Sequence, residues 1–167
     1  MNPPPHRKSH QLRKGRHAAS GTYYFLTTAT FKRRPILSNP QVTKIIFDSL
    51  QWLENKDRIR WICLMIIPDH IHAVIQLGCN QTIADVMHSL KSFTAKQINA
   101  LRRRIAGQDA PPTGYGSVWQ AEYYDRGVRG EESLNEMIRY CYENPVRKGL
   151  VKQARDYPYW WCKFKME

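Results

Sequence analysis

The chain has 167 residues, of which 42% are hydrophobic and 24% are charged, a size and composition that predict one globular domain with an apolar core. Its longest strongly apolar run, residues 62–67, is too short to cross a bilayer. The basic start is not followed by the apolar stretch of a secretory signal. We therefore expect a cytoplasmic location and no membrane partner.

A large excess of positive charge distinguishes the chain. Twenty-six Lys and Arg residues face 14 Asp and Glu residues, for a formal net charge of +12. Nucleic acid is the usual partner of so basic a protein, because neutralising phosphates releases counterions. The alternatives are a solubility surface or attraction to an anionic membrane, but no basic amphipathic helix with a broad aromatic face appears. Within the cytoplasm, we expect the protein to associate with the nucleoid.

Much of this charge lies in the first 20 residues, which contain three successive prolines and no acidic residue. Such a segment buries little apolar area, so residues 1–20 are predicted to form a basic flexible arm and residues 21–167 a single domain. The arm would either bind phosphates or be an inert tail. Its candidate phosphate-binding residues are Arg7, Lys8, Arg13, Lys14 and Arg16.

Apolar periodicity and turn residues predict seven elements in the order β-α-β-β-α-β-α. A strand over residues 22–30 precedes a helix that begins at Asn39-Pro40 and continues to about residue 53. Strands over residues 58–67 and 70–77 flank a Pro-Asp turn, and a helix over residues 82–106 follows. A strand over residues 118–128 then leads to a helix over residues 131–143, which Asn144-Pro145 is expected to stop. The prediction is an α+β fold: a ferredoxin-like split βαβ with a four-stranded antiparallel sheet and an appended C-terminal helix.

Two histidines begin the third predicted strand. Side chains alternate along a strand, so His70 and His72 leave the same face and can offer two imidazole nitrogens to one ion. An H-x-H triplet is a weak signal by itself, and two half-buried strand histidines are the alternative. The basic composition favours the metal interpretation, because an ion there would neutralise a phosphate.

The last predicted helix presents a phenol and an amide together. At 100° per residue, Tyr140 and Asn144 lie on the same flank of its apolar stripe. They would either pack at the helix edge and stop the helix, or act chemically. A tyrosine hydroxyl is a weak nucleophile, so attack on phosphorus requires a metal and cations to stabilise the phosphate.

Several segments resemble one family closely. The histidines in IIPDHIHAVIQL resemble the HUH motif (histidine, bulky apolar residue, histidine) of single-tyrosine transposases. The stretch VWQAEYYDRGVRGEESLNEMIRYCYENPVRKGLV resembles the second signature of the REP-associated tyrosine transposase group. SGTYYFLTTATFKRRPIL and ARDYPYW are similar to that group's first strand and its C-terminal segment.

The resemblance implies a ferredoxin-like fold whose last helix is catalytic. His70 and His72 would bind Mg²⁺ or Mn²⁺, with Asn144 as a third ligand, and Tyr140 would be the nucleophile. The group cleaves single-stranded DNA at the foot of a hairpin, leaving a 5′-phosphotyrosine and a free 3′-hydroxyl. It is thought to act as monomers, although related members form dimers. Besides the arm, the predicted DNA-binding residues are Lys32, Arg33, Arg34, Arg126, Arg129, Arg147 and Lys148.

Three alternatives accompany this interpretation. Tyr142, on another side of the helix, is a competing nucleophile. A non-catalytic nucleic-acid-binding module of the same fold would use strand aromatics such as Tyr23 and Phe25 for stacking. A zinc hydrolase would use the histidines but lacks an obvious third ligand. Trp119 and Tyr124 would stack on bases or pack in the core, and the core is expected for Trp119.

Overall fold

The computed structural model of the protein describes residues 21–107 and 116–164. The predicted arm and its five cationic residues lie outside the described residues. The strands are β1 (Tyr23–Ala29), β2 (Ile59–Ile67), β3 (His70–Leu77), β4 (Tyr124–Val128) and β5 (Trp160–Cys162). The helices are α1 (Pro40–Asn55), α2 (Ile83–Ala106) and α3 (Glu131–Arg147).

The strands form one antiparallel sheet in the order β4-β1-β3-β2-β5. The first four strands have the predicted ferredoxin-like order, which confirms the fold class. β3 lies at the centre, between β1 and β2, and both of its edges are fully paired. Strand β5 is an addition that sequence patterning missed, because three residues are too few to show a period-2 pattern.

The sheet carries a separate apolar cluster on each face. On one face, α1 and α2 pack through residues such as Ile46, Leu50 and Val86 against Leu64 and Ile75 of the sheet. On the other face, Ile138 and Cys141 of α3 pack against residues of the central strands, which include Phe25, Met65 and Val74. The appended helix therefore covers the face to which His70 and His72 belong.

The predicted starts of α1 and α2 are confirmed by their caps. The Asn39 side chain accepts a hydrogen bond from the backbone N–H of Gln41, and Pro40 occupies the first helical position of α1. Thr82 caps α2 by accepting from the backbone N–H of Asp85 at 3.1 Å. These caps satisfy N–H groups that the first helical turn leaves without an internal partner.

Two predicted boundaries are wrong. The fourth strand begins at Tyr124 rather than at residue 118, because Trp119 forms only an isolated bridge to Thr30. Trp119 is nevertheless 6% exposed, as expected for a core residue, and its indole N–H donates to Thr94 Oγ1 at 2.9 Å. Helix α3 continues past Asn144-Pro145 to Arg147. Asn144 and Pro145 are both buried, and this packing overrides the preference of the residue before a proline for extended backbone.

None of the described helices is long and apolar enough to span a membrane.

Gly78, which follows β3, approaches the backbone that precedes β2. A Cβ atom there would lie 2.2 Å from the carbonyl oxygen of Asp57 and 2.7 Å from that of Arg58. We expect Gly78→Ala to lower the free energy of unfolding by about 1–3 kcal/mol, because the backbone must shift to admit the methyl group. Chemical denaturation measures the loss. The control is Gly127→Ala in β4, where the nearest atom would be 3.9 Å away; an equal loss there would contradict the explanation.

Candidate active site

Strand β3 places two imidazoles on the sheet face beneath α3. His70 and His72 alternate with Ile71, which packs into the core on the opposite face. Each histidine is only 4% exposed. The ring of Phe25, from the neighbouring strand, stacks on His72 with ring centroids 5.4 Å apart. The predicted shared face is thus observed, and it is buried.

The two imidazoles point their Nε2 atoms at one another across 3.2 Å. On the far side of the first ring, Nδ1 of His70 lies 2.6 Å from Oδ1 of Asp69. A carboxylate only accepts hydrogen bonds, so Nδ1 carries the proton and Nε2 of His70 keeps its lone pair.

The second imidazole is held in the same tautomer. Nδ2 of Asn144 lies 3.0 Å from Nε2 of His72, and an amide nitrogen only donates, so this Nε2 is an acceptor. Nδ1 of His72 then donates to Oγ1 of Thr27 at 2.7 Å. Two nitrogen lone pairs therefore face the same small space, an arrangement that a cation stabilises.

The amide of Asn144 has one atom without a partner. Asn144 is 3% exposed, and its Oδ1 accepts no hydrogen bond from the part of the chain that the structure describes. Burying an unsatisfied oxygen costs roughly 1–3 kcal/mol. Helix α3 thus brings a spare oxygen acceptor to the imidazole pair, one helical turn after Tyr140.

The residues present fit a hard divalent cation. Adjacent ligands of an octahedral ion with bonds of about 2.1 Å lie about 3.0 Å apart, close to the 3.2 Å between the two Nε2 atoms. Among residues 21–107 and 116–164, no group of three His, Cys, Asp or Glu side chains could hold a metal ion. The amide of Asn144, 3.0 Å from Nε2 of His72, is a side chain of another type beside the two imidazoles.

Tyr140 lies beside the imidazole pair, half-buried. Its ring centroid is 5.5 Å from that of His72 and 5.6 Å from that of Phe25. The guanidinium carbon of Arg147 lies 4.2 Å from the ring centroid, and the same side chain donates to the carbonyl of Tyr140. Tyr142 instead contacts Trp160, at 5.5 Å between ring centroids, on another side of α3.

Burial and nearby cations keep both imidazoles neutral. Burial lowers the pKa of His70, although the hydrogen bond and charge of Asp69 oppose this. Burial also lowers the pKa of His72 well below its ordinary value, reinforced by the charges of His70, Lys148, Arg147 and Arg33. Three of the predicted DNA-binding cations therefore act electrostatically on the site.

The basic loop after β1 contributes unequally to the site. Arg33 forms an ion pair with Asp69 at 3.3 Å, which links it to His70. Burial raises the pKa of Asp69, but the hydrogen bond and charge of His70, followed by Arg33, outweigh it and lower the pKa overall. Arg34 instead donates to the carbonyls of Phe31 and Ser117, so it braces the loop. Lys32 lies over the Phe31 ring, 5.6 Å from its centroid.

The remaining predicted DNA-binding residues lie on exposed surface. Arg126 of β4 pairs in register with Phe25, on the same side of the sheet as the imidazoles, and Arg129 follows that strand. Arg147 and Lys148 lie at the C-terminal end of α3, and both are exposed.

Sequence reasoning missed Thr27 and Asp69 as residues that orient the histidines. Asp69 precedes His70 directly, and this adjacency was the available signal. Thr27 is 45 residues from His72, and it becomes visible only through the register that pairs Thr27 with His72.

Comparison with known proteins identifies the family. The sequence profile of the family described as "Transposase IS200 like" matches residues 18–144, which include the imidazole pair, Tyr140 and Asn144. Because this match covers well over half of the chain, the protein belongs to the IS200-like transposase family.

Curated relatives support a closer grouping. The REP-associated tyrosine transposase of Escherichia coli (strain K12) is 32% identical over 95 residues, which cover 57% of this chain and 49% of that protein. A related protein of Haemophilus influenzae is 28% identical over 99 residues, covering 59% of this chain and 56% of that protein. The chain thus matches about half the length of these relatives. The resemblance to the REP-associated group is confirmed.

A solved structure shows the same fold. A REP-associated tyrosine transposase bound to a REP hairpin superimposes with a TM-score of 0.67, at 19% sequence identity. The alignment covers 87% of this chain and 79% of that chain.

We expect the free energy of unfolding to fall as the pH decreases from about 7 to 5. The pKa of both histidines is lowered on folding, so below about pH 6.5 the unfolded chain binds protons that the folded chain does not, and protonation favours unfolding. Urea titrations across this range measure the slope, which His72→Gln should reduce. The control is His88→Gln, at an exposed histidine of α2. An unchanged slope in His72→Gln would show that this histidine does not couple folding to pH.

Proposed function

We propose that the protein is a metal-dependent single-stranded DNA endonuclease and strand transferase that works through a 5′-phosphotyrosine intermediate. The observation that carries this proposal is the convergence of two imidazole lone pairs, the amide of Asn144 and the ring of Tyr140 on one point beneath α3. Membership of the IS200-like transposase family agrees with it.

His70, His72 and Asn144 would hold Mg²⁺ or Mn²⁺. The two imidazoles are neutral and correctly protonated for this role, because Asp69 and Thr27 accept hydrogen bonds from their Nδ1–H groups. The amide of Asn144, whose Nδ2 donates to Nε2 of His72, would turn to offer Oδ1, which has no hydrogen-bond partner among the described residues. When bound, the ion would neutralise charge on the scissile phosphate and make its phosphorus more electrophilic.

Tyr140 performs the displacement. Its hydroxyl oxygen attacks phosphorus, a bond forms between Oη and phosphorus, and the bond from phosphorus to the 3′ oxygen breaks. The phenolic proton passes to solvent, and the departing 3′ oxygen takes up a proton to become a free hydroxyl. Arg147, which lies over the ring, stabilises the negative charge that develops on the phenol.

The covalent product explains how strands would be joined. A phosphotyrosine ester retains the phosphodiester bond energy, so the 3′-hydroxyl of another strand can attack it and release Tyr140. Cleavage and joining are the same exchange in opposite directions, and neither needs a nucleotide cofactor.

Hairpin DNA is the substrate that we propose, since the solved relative of the same fold is bound to a REP hairpin. Arg33, Arg147 and Lys148 already act on the imidazole pair and would meet the DNA phosphates there. We further propose that the protein acts as a monomer on DNA in the nucleoid.

The alternative of a binding module receives less support. Stacking by sheet aromatics requires an open sheet face. Phe25 is only 6% exposed and lies against Tyr140 of α3, so that face is covered. Tyr23 is half-buried on the same strand.

We expect Tyr140→Phe to abolish the covalent adduct while DNA binding remains, because only the hydroxyl is lost. The assay is denaturing electrophoresis of the protein after incubation with labelled hairpin DNA and Mg²⁺. The control is Tyr142→Phe, which alters the neighbouring phenol beside Trp160. Adduct formation that survives Tyr140→Phe and disappears in Tyr142→Phe would contradict the proposal and identify Tyr142 as the nucleophile.

We expect adduct formation to require a divalent metal ion. A chelator should abolish it, and Mg²⁺ or Mn²⁺ should restore it. Mn²⁺ should also raise the melting temperature of the Tyr140→Phe protein, because an ion that binds only the folded state stabilises it. His70→Gln combined with His72→Gln should eliminate this shift and slow cleavage by about 100-fold or more.

The control for the metal experiment is His88→Gln, in which both effects should persist. Cleavage that resists chelation, or an equal melting shift in the double variant, would rule out a metal at the imidazole pair.

A further inference from the structure

An aromatic groove lies beside β5, which we call the β5 groove. It is lined by five aromatic rings and one guanidinium: Trp61, Tyr142, Trp160, Trp161, Phe164 and Arg155. Tyr142 places the groove next to α3. Two residues along a helix correspond to 200° of rotation, so this flank is nearly opposite the one that carries Tyr140. The proposed cleavage reaction uses none of these residues.

Four of the five rings of the β5 groove are partly exposed, whereas Trp61 is buried. Trp160 contacts Tyr142 at 5.5 Å, and Trp161 contacts Phe47 at 5.1 Å, between ring centroids. Both tryptophans are only half-buried, and Phe164 is 53% exposed. Trp160 packs against the apolar cluster under α3 and Trp161 against the cluster under α1 and α2, so the two rings flank the edge strand on opposite faces. Because packing fixes both rings, they require little ordering before a ligand binds.

Positive charge borders the same rings. Arg155 lines the groove on an exposed 3₁₀ turn, Ala154–Asp156, which packs against α3. The ammonium of Lys163 lies 4.6 Å from the Trp61 ring centroid and is paired with Glu54 at 2.5 Å. Aromatic rings bordered by cations are the composition that binds single-stranded nucleic acid, because rings stack on bases and cations contact phosphates.

The chain segment between α3 and the groove carries positive charge. Lys148 ends α3, and its charge acts on both histidines. The chain then passes exposed Lys152 and reaches Arg155 only seven residues after Lys148. A DNA strand bound at both places would therefore meet the positive charge of this segment.

We propose that the β5 groove binds unpaired nucleotides of the same DNA strand on which Tyr140 acts. Bases stack on the Trp160 side of the groove, and Arg155 contacts a phosphate. Every base has a flat π-face, so this site contributes affinity for single strands with little sequence preference. The inference rests on the proposed nuclease function, which it extends with a second contact region for the substrate.

The test uses the full chain carrying Tyr140→Phe, so that no covalent adduct forms. Its probes are a fluorescein-labelled single-stranded 12-mer of mixed sequence and a blunt-ended hairpin without unpaired ends. Adding Trp160→Leu should weaken binding of the single strand about 5- to 150-fold and leave binding of the blunt hairpin unchanged. Adding Arg155→Gln should weaken single-strand binding and reduce its salt dependence by about one phosphate contact.

Two further variants separate stacking from folding. Trp52→Leu is the matched control, because Trp52 is 52% exposed on α1 and lies outside the groove, and it should change neither affinity. Trp160→Phe keeps an aromatic ring and should retain most of the affinity. Melting temperatures identify any variant that fails to fold, and Arg155→Gln, at an exposed position, still tests the site in that case.

Single-strand affinity that is unchanged in both Trp160→Leu and Arg155→Gln overturns the inference. An equal loss for the single strand and the blunt hairpin overturns it as well. The two proposals fail separately: an unmodified protein that forms no adduct contradicts the nuclease function, even where groove binding persists. An adduct formed together with unaffected groove variants contradicts only the groove.

Discussion

The arrangement of the site depends on two imidazole lone pairs held 3.2 Å apart beneath a helix. Two such nitrogens repel one another unless a proton or a cation lies between them, and the amide N–H of Asn144 satisfies only Nε2 of His72. Asp69 and Thr27 hold the protons on the far side of each ring, and burial disfavours a second proton. Among the described residues, the lone pair of His70 Nε2 therefore has no donor, and Oδ1 of Asn144 has no hydrogen-bond partner either.

The positive potential of the cations around this point has two effects. Arg33, Arg147 and Lys148 lower the pKa of His72, which keeps its lone pair available. The same positive potential attracts phosphates, because an anion gains the energy that a protonated imidazole would lose. Basic side chains near the histidines thus keep the imidazoles unprotonated and favour phosphate binding beside them.

Most of the architecture could be predicted from the sequence, because its signals are local. Residues close in the sequence determine the helix caps at Asn39 and Thr82. They also determine that His70 and His72 lie on the same face of a strand. Strand β5 could not be predicted, since its three residues form a strand only by pairing with β2, which is distant in the sequence. The role of Thr27 could not be predicted either, because it depends on the pairing of Thr27 with His72 across two strands. The predicted end of α3 was wrong because the burial of Asn144 outweighs the local effect of Pro145. The roles of Tyr140, the histidines and Asn144 stay predictions, although the structure brings the four side chains together.

The proline inside α3 has a mechanical consequence. Pro145 has no N–H to donate to the carbonyl of Cys141, so α3 lacks one backbone hydrogen bond near the turn that separates Tyr140 from Asn144. That turn is the least stiff part of the helix, and the relative placement of phenol and amide depends instead on how Ile138 and Cys141 are seated on the sheet. The packing of these core residues would thereby set the spacing between the side chains of Tyr140 and Asn144, and the loss of a methyl group there would change that spacing.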